Sequence, residues 1–383
     1  MRQGHSHFPK KIIIKYGELW LKSEPVRRRF LRTLADNVRS QLKFSGIRGF
    51  RLEGTRDMLL LDCKSPKAAE VLKRVFGVSW FAVALETKAE KRAIEKAVLR
   101  LADNIAAGQT FAIRASRSDK KLPFTSKDIE NEMGAKIKRK VDLSNPDFTI
   151  FIEMRKEGAY IFSEKIRGAG GLPYGVSGKT LSLISGGIDS PVASWLMMKR
   201  GCAVDFVHFA TDERGIRKAK EIVGKLRRYS PRPFNLYSVP FRGMQEAIVR
   251  KCDRRLTCVL CKRLMYRTAE ALAKESGAKA LVTGENLAQV ASQTLDNLLA
   301  NSDAVSLPVL RPLLTMDKEE TIALAKQIGT YELSIKAARP CHFVPYKPAT
   351  KARKEAVLRE ERRIKSLDKL IKTVASKYKK VVV

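Results

Sequence analysis

The apolar and polar positions of the chain change period several times, and each change predicts an element. Lys11-Ile-Ile-Ile-Lys-Tyr16 reads as a strand, and Phe30, Leu31, Leu34, Val38 and Leu42 recur at helical spacing within Pro25–Phe44. Met58–Asp62 is a strand after the turn at Thr55-Arg56-Asp57, Pro66–Val75 a second helix, and Val78–Val83 a further strand. Taken as the helices and three of the four strands of a β-α-β-β-α-β unit, these elements predict a small ferredoxin-like α+β sandwich over residues 1–85. A second α/β unit, residues 86–168, opens on the amphipathic helix Glu90–Ala107 and the strand Thr110–Arg114. A helix capped at Thr125-Ser126 and running through Lys140 follows, then the strand pair Asp147–Glu153 and Gly158–Phe162.

The glycine-rich stretch Arg167–Gly175 is the clearest boundary in the chain. Beyond it, strands at Leu181–Ile184, Ala203–Phe209, Phe234–Val239 and Ala280–Thr283 alternate with helices. Those helices are Val192–Arg200, Ile216–Tyr229, Met244–Lys251, Cys261–Ser276 and Lys318–Ile328. Such alternation predicts a doubly wound parallel sheet over residues 175–350, with ligands beyond the carboxyl ends of its strands. The segment Ser185–Ser190, the pair His208-Phe209 and the pair Gly284-Glu285 all fall at such ends. Residues 351–383 read as a basic helical extension.

Charge changes the picture of what this scaffold meets. The 383 residues carry 75 Lys and Arg against 40 Asp and Glu, a net +35, too large and too spread to be one tail. Thermophile-like surfaces balance their basic residues with Glu, so nucleic acid is the favoured partner and an anionic membrane surface the weaker one. Arg114, Arg117, Lys120 and Lys121 cluster directly after a strand, as contacts to a phosphate backbone or as a solvated face. No run of 18 apolar residues and no signal-peptide core occurs, so a soluble, cytoplasmic protein without a membrane partner is expected.

The candidate chemistry lies in two places. Ser185-Gly-Gly-Ile-Asp-Ser190 joins a buried strand to a helix with an early proline, a junction that aims backbone N–H groups and the positive helix end at one spot. Gly186 and Gly187 let the backbone approach a phosphate, Ser185 and Ser190 add hydroxyl donors, and Asp189 suits Mg2+ on a polyphosphate. No GxxxxGK[ST] pattern occurs, and Gly168-Ala-Gly-Gly171 does not open a helix as a dinucleotide fingerprint would. Six cysteines are too few for a disulfide scaffold. Cys63 and Cys202 sit in apolar surroundings, and Cys252 has no motif of its own. Cys258-Val-Leu-Cys261 is a C-x-x-C pair, while Cys341 stands in Arg339-Pro-Cys-His342.

These residues resemble the PP-loop pyrophosphatase superfamily and, more narrowly, the tRNA 4-thiouridine synthetase (ThiI) family. The narrow resemblance rests on blocks in order: Lys15-Tyr-Gly-Glu-Leu-Trp-Leu-Lys22, Leu183–Ala193, Leu281-Val-Thr-Gly-Glu-Asn-Leu-Ala-Gln-Val-Ala-Ser-Gln-Thr-Leu295, and Arg311-Pro-Leu-Leu-Thr-Met-Asp-Lys318. It implies an N-terminal ferredoxin-like domain, a THUMP domain that binds tRNA, and a PP-loop domain of the adenine nucleotide alpha hydrolase kind. The activity implied is ATP-dependent thiolation of the uridine at position eight of tRNA. Adenylation of O4 releases pyrophosphate, and sulfur then displaces AMP at C4.

By the same resemblance Leu183, Ile184, Ser185, Gly186, Gly187, Ser190, His208, Phe209, Lys262, Gly284 and Gln293 line the ATP site, and Asp189, Lys318 and Cys341 serve the chemistry. Without it, His208 is equally a satisfied strand-end histidine and Lys318 an exposed lysine at a helix start. Some members carry a rhodanese domain that brings a persulfide and has been tied to thiamine thiazole formation; nothing of that length follows Cys341, so neither is expected here. Cys258, Cys261 and Cys341 resemble the ligands of members that bind an iron–sulfur cluster, here a [4Fe–4S] cluster with one open iron for sulfide. Their other readings are a Cys258–Cys261 redox pair with Cys341 as persulfide carrier, a zinc site completed by Cys252 or His342, or inert thiols. The sulfur donor is accordingly sulfide or a persulfide. Members often dimerise, one subunit's tRNA-binding unit serving the other's active site. The competing functions are another PP-loop tRNA-modifying or amidating enzyme and a non-catalytic THUMP protein that only binds tRNA.

Overall fold

The computed structural model describes residues 8–18, 22–55, 57–336 and 341–383. Leu19, Trp20 and Leu21 of the first block, Arg56 of the early turn, and Arg339-Pro340 before Cys341 lie outside the described residues. The chain divides into two compact units, 1–170 and 171–383, the division falling inside the glycine-rich stretch.

The first unit runs β1 (Lys10–Tyr16), α1 (Glu24–Phe44), β2 (Arg51–Gly54), β3 (Leu59–Asp62), α2 (Lys67–Leu72) and β4 (Val78–Thr87). It continues α3 (Lys91–Ala102), β5 (Thr110–Arg117), α4 (Ser126–Ala135), β6 (Lys140–Val141), β7 (Phe148–Arg155), β8 (Gly158–Phe162) and β9 (Ile166–Arg167). Among the described residues these strands form one sheet in the order β2-β3-β1-β4-β8-β7-β5-β6, with β9 also on β4. The ferredoxin-like order is thus present, but β4 serves two partners. Its residues Val78–Leu85 pair with β1, and Leu85, Glu86 and Thr87 pair with β8. The partition expected at residue 85 therefore runs through a continuous strand.

One apolar layer, with Ile13, Met58, Leu60, Ala82, Ala84, Tyr160 and Phe162, spans that junction. Behind it sits an ion-pair network: Lys15 reaches Glu153 at 2.8 Å and Asp57 at 3.3 Å, and Arg155 forks onto Asp57. Burial pushes the Asp57 carboxyl up, but Arg155 and Lys15 together hold it below its usual range. Thr125 caps α4 as expected, in a reciprocal box with Asp128. That helix ends at Ala135, and Lys140–Val141 add a short parallel strand to β5 instead.

The second unit contains β10 (Lys179–Leu183), α5 (Asp189–Lys199), β11 (Ala203–Ala210), α6 (Glu213–Leu226), β12 (Asn235–Pro240), α7 (Arg242–Lys251), α8 (Thr257–Ser276) and β13 (Leu281–Val282). After these come α9 (Leu295–Ser302), β14 (Val309–Leu310), α10 (Lys318–Ile328), α11 (Tyr331–Ile335), α12 (Lys354–Arg362), α13 (Leu367–Ser376) and β15 (Lys379–Val382). The sheet order is β14-β13-β10-β11-β12-β15, parallel throughout except for antiparallel β15. The sequence places β10 and β13 far apart, and their pairing at Leu181–Leu281 brings two of the expected loops to one crevice.

Residues 351–383 do more than extend the chain. Ala352, Val357, Ile364 and Ile371 enter the same core as Val259, Leu260 and Leu264 of α8. The final strand was not legible in the sequence. It closes the sheet edge, and Phe234 and Val383 exchange backbone hydrogen bonds of 2.8 and 2.9 Å. Among the described residues no helix is long and apolar enough to cross a membrane.

Candidate nucleotide and sulfur site

The glycine turn follows β10 and opens α5, a helix buried on nearly all sides through Val192, Ala193, Ser194 and Trp195. Small hydroxyls set its position. Ser182 and Ser194 share a buried hydrogen bond of 2.7 Å, and Ser194 Oγ donates to the Ser190 carbonyl at 2.7 Å. Within the loop, Ser185 N–H donates to Ser190 Oγ at 2.9 Å, the two hydroxyls meet at 3.0 Å, and Gly187 N–H donates to Ser185 Oγ at 3.3 Å. Donors that would face an anion are thus held by hydrogen bonds within the loop, whose acceptors a phosphate oxygen can replace.

The next strand end closes on this turn. A Cβ on Gly284 would stand 2.6 Å from Ser190 N and 2.7 Å from the Asp189 carbonyl carbon, so only glycine fits there. At the mouth, Lys318, the first residue of α10, donates to Asp189 Oδ1 at 2.7 Å. The pair joins a cation and a carboxylate 129 residues apart, both partly open to solvent.

Beneath the mouth, Glu285 is buried and fully engaged. It accepts from Lys262 at 2.9 Å, Thr283 Oγ1 at 3.1 Å, Arg311 Nε at 2.8 Å and the Tyr266 hydroxyl. Burial pushes its carboxyl up, yet Lys262, Tyr266 and Arg311 hold it below its usual range. Lys262 therefore braces the strand end through Glu285. Glu285→Ala would leave two cations without a counterion in the interior, and a loss of about 3–5 kcal/mol in stability is expected, read as a lower urea midpoint. Because the folded carboxyl lies below the ordinary 4.5, its stabilisation is complete above that pH and disappears as the pH falls through the depressed folded value.

His208 Nδ1 contacts the Ile184 carbonyl at 3.0 Å, and burial pushes the imidazole below its ordinary value against the pull of that carbonyl and Asp212. The ring thus pins the residue after Leu183, and Ile184 N–H also bonds Val207 O at 2.9 Å. Phe209 turns inward, its ring 4.9 Å from that of Phe241. Gln293 ends a short turn after Val290, and its buried Oε1 lacks a hydrogen-bond partner among the described residues.

The cysteines occupy the start of α8. Cys258 and Cys261 lie one turn apart, directly before Lys262, so the ion pair to Glu285 ties them to the strand end that packs on Asp189 and Ser190. Gln245 Nε2 stands 3.9 Å from both Cys261 Sγ and Cys341 Sγ. A helix N-terminus ordinarily lowers a thiol pKa. Here burial wins, raising Cys258 and taking Cys261 to about 12, with Cys341 adding to both. Cys341 is exposed, whereas Cys252 is buried and donates to the Glu360 carbonyl at 3.4 Å. Among the described residues no three His, Cys, Asp or Glu side chains stand at metal-ligating separations. The thiols match an iron–sulfur site in type, with the Gln245 amide within reach of two of them.

The basic surface of the first unit divides by role. Arg117 donates to the carbonyls of Leu122 and Phe124 at 3.0 and 2.7 Å, closing its own loop, and Arg114 bonds the Leu143 carbonyl. Lys120 and Lys121 are exposed. Sequence reading missed a second basic feature. Arg27, Arg28, Arg32 and Arg39 of α1, with the carboxylates Glu24 and Asp36 that pair with Arg28 and Arg39, line a groove of about 760 Å³. The run Arg27-Arg-Arg29 was its only signal.

Residues 175–366 match the family described as "Thiamine biosynthesis protein (ThiI)", about half the chain; residues 88–164 match the THUMP domain and 11–82 the ThiI ferredoxin-like domain. The chain belongs to the ThiI family. Among similar proteins, a probable tRNA sulfurtransferase of Caldanaerobacter subterraneus is 41% identical, over 92% of this chain and 95% of the relative. One from Methanosarcina acetivorans is 36% identical over 95% and 92%. A solved 4-thiouridine synthetase in complex with RNA and bound ATP aligns at a TM-score of 0.88 and 32% identity, covering 98% of this chain and all of that one.

Proposed function

We propose that this ThiI chain is a tRNA sulfurtransferase that makes 4-thiouridine. Uridine O4 attacks the α-phosphorus of ATP, the bond to the bridging oxygen breaks, and pyrophosphate leaves. A sulfur nucleophile then forms a bond to C4 and expels AMP. The observation that carries this reading is the glycine turn with the Asp189–Lys318 pair at its mouth, in a chain alike over its length to a synthetase holding RNA and ATP.

The residues fit the first step. Loop N–H groups and the α5 start receive polyphosphate oxygens, Lys318 neutralises charge that develops on the transferred phosphoryl group, and Asp189 is suited to hold Mg2+ there. The α1 groove, with Lys120 and Lys121, supplies phosphate-binding charge for tRNA. The alternatives of an amidating ligase or a purely binding protein have no use for the cysteine group beside this mouth.

For the second step the three cysteines are the sulfur-handling group. A [4Fe–4S] cluster held by Cys258, Cys261 and Cys341 would supply sulfide from its open iron. A second reading is favoured by exposed Cys341 lying beside buried Cys261. Here the terminal sulfur of a Cys341 persulfide attacks C4, and Cys261 then attacks Cys341 Sγ, freeing 4-thiouridine and leaving a disulfide for an external thiol to reduce. The test is anaerobic purification followed by incubation with unmodified tRNA, ATP and sulfide or a persulfide donor. Mass spectrometry should find 4-thiouridine, and unchanged uridine with every donor overturns the reading. Iron and a visible absorption band select the cluster; a colourless, iron-free, active enzyme selects the relay.

A further inference from the structure

Two side chains outside the family blocks hold the back of the glycine turn. Lys218, on α6, lays its stem over Gly186, its Cδ 3.0 Å from where a Cβ there would stand. Its ammonium donates to the carbonyls of Ser334 and Lys336 at 2.9 and 2.7 Å. Ser334, buried on α11, donates its hydroxyl to the Gly187 carbonyl at 3.2 Å. A short turn, with Thr330 N–H on the Ala325 carbonyl at 3.0 Å and Ser334 N–H on Thr330, joins α11 to α10, which begins at Lys318.

A pair of glycines leaves the loop peptides free to rotate, so something outside the loop must fix them. A trans peptide points its C=O and N–H in opposite directions. Holding the Gly187 oxygen toward Ser334 therefore turns the Ile188 N–H to the other side of the loop, away from α11. Lys218 meanwhile fills the space behind Gly186 and places a positive charge at the rear of an anion site.

We propose that Ser334 and Lys218 are positioning residues that preform the phosphate cradle for ATP. This rests on the adenylation reading above. They touch no reacting atom; they act through the orientation of one peptide and the support of its neighbour.

The test compares Ser334→Ala and Lys218→Met with Lys220→Met, an exposed lysine on the same helix, in the full chain. Pyrophosphate release with tRNA is followed as ATP is varied. Ser334→Ala should raise the KM for ATP about tenfold, the worth of one hydrogen bond of about 1.4 kcal/mol, with kcat within about threefold. Lys218→Met should move KM in the same direction, Lys220→Met should not, and melting midpoints should agree within about 3 °C. A parental KM in Ser334→Ala, or a KM rise matched by a fall in melting temperature, overturns the proposal. If the parent releases no pyrophosphate with tRNA, it is the adenylation reading that fails. ATP affinity by calorimetry then still judges the cradle, and equal affinities of Ser334→Ala and parent would reject it.

Discussion

Lys318→Ala is expected to lower tRNA-dependent pyrophosphate release by about 10³-fold, the scale on which cationic groups act at a transferring phosphoryl. Among the described residues Lys318 pairs at the mouth with the Asp189 carboxylate at 2.7 Å, and both side chains are partly exposed. The fold does not depend on such a pair, so the variant should melt close to the parent and still bind tRNA. Asp189→Asn tests the other half. It removes the charge that would hold Mg2+ while keeping the side-chain shape, and its loss should shrink when Mg2+ is raised. If Lys318→Ala kept a kcat within tenfold of the parent, the pair would be a surface contact and the site would lie elsewhere.

Cys341→Ser and Cys261→Ser should each reduce 4-thiouridine formation by at least about 10³-fold, since hydroxyls neither carry sulfur nor ligate iron as thiolates do. Pyrophosphate release in single turnover should survive, because in the proposed mechanism the cysteines enter after adenylation. Alkylation offers a companion measurement. Exposed Cys341 should react first, while Cys261, its thiol pushed to about 12, should stay protonated and slow at neutral pH. Loss of pyrophosphate release in both variants, with the fold intact, would place the thiols in the first step and refute the division of labour.

Much of this was readable before any tertiary contact was known. Period-2 and period-3.6 patterns located nearly every long element, and the boundary at Arg167–Gly175 contains the division between the two units. Short elements escaped because two to four residues carry too little periodicity: β6, β9 and β15 form by pairing with longer strands, and β14 by pairing with the equally short β13. The site shows the same split. Ser185–Ser190 declares its local shape because glycine, hydroxyl and proline act on their own turn. Glu285 stands beside Gly284 in the sequence, yet its part as the acceptor of Lys262, Tyr266, Thr283 and Arg311 depends on contacts across four elements. Arg117 stood in a promising basic cluster, and only the fold shows it spent on two carbonyls.

The local chemistry was already written in the order of residues: a turn able to cradle phosphate, a surplus of positive charge, and a C-x-x-C pair with a distant third cysteine. Backbone preference and charge are properties of neighbouring residues, so they survive in a linear reading. Which of these meet depends on the folded chain. Parallel pairing of β10 with β13 sets Gly284 against Asp189 and Ser190, and α10 returns Lys318 to Asp189 across 129 residues. Burial then overrides the helix start at Cys261. Long-range register and the low dielectric of a packed interior have no counterpart in the order of residues alone.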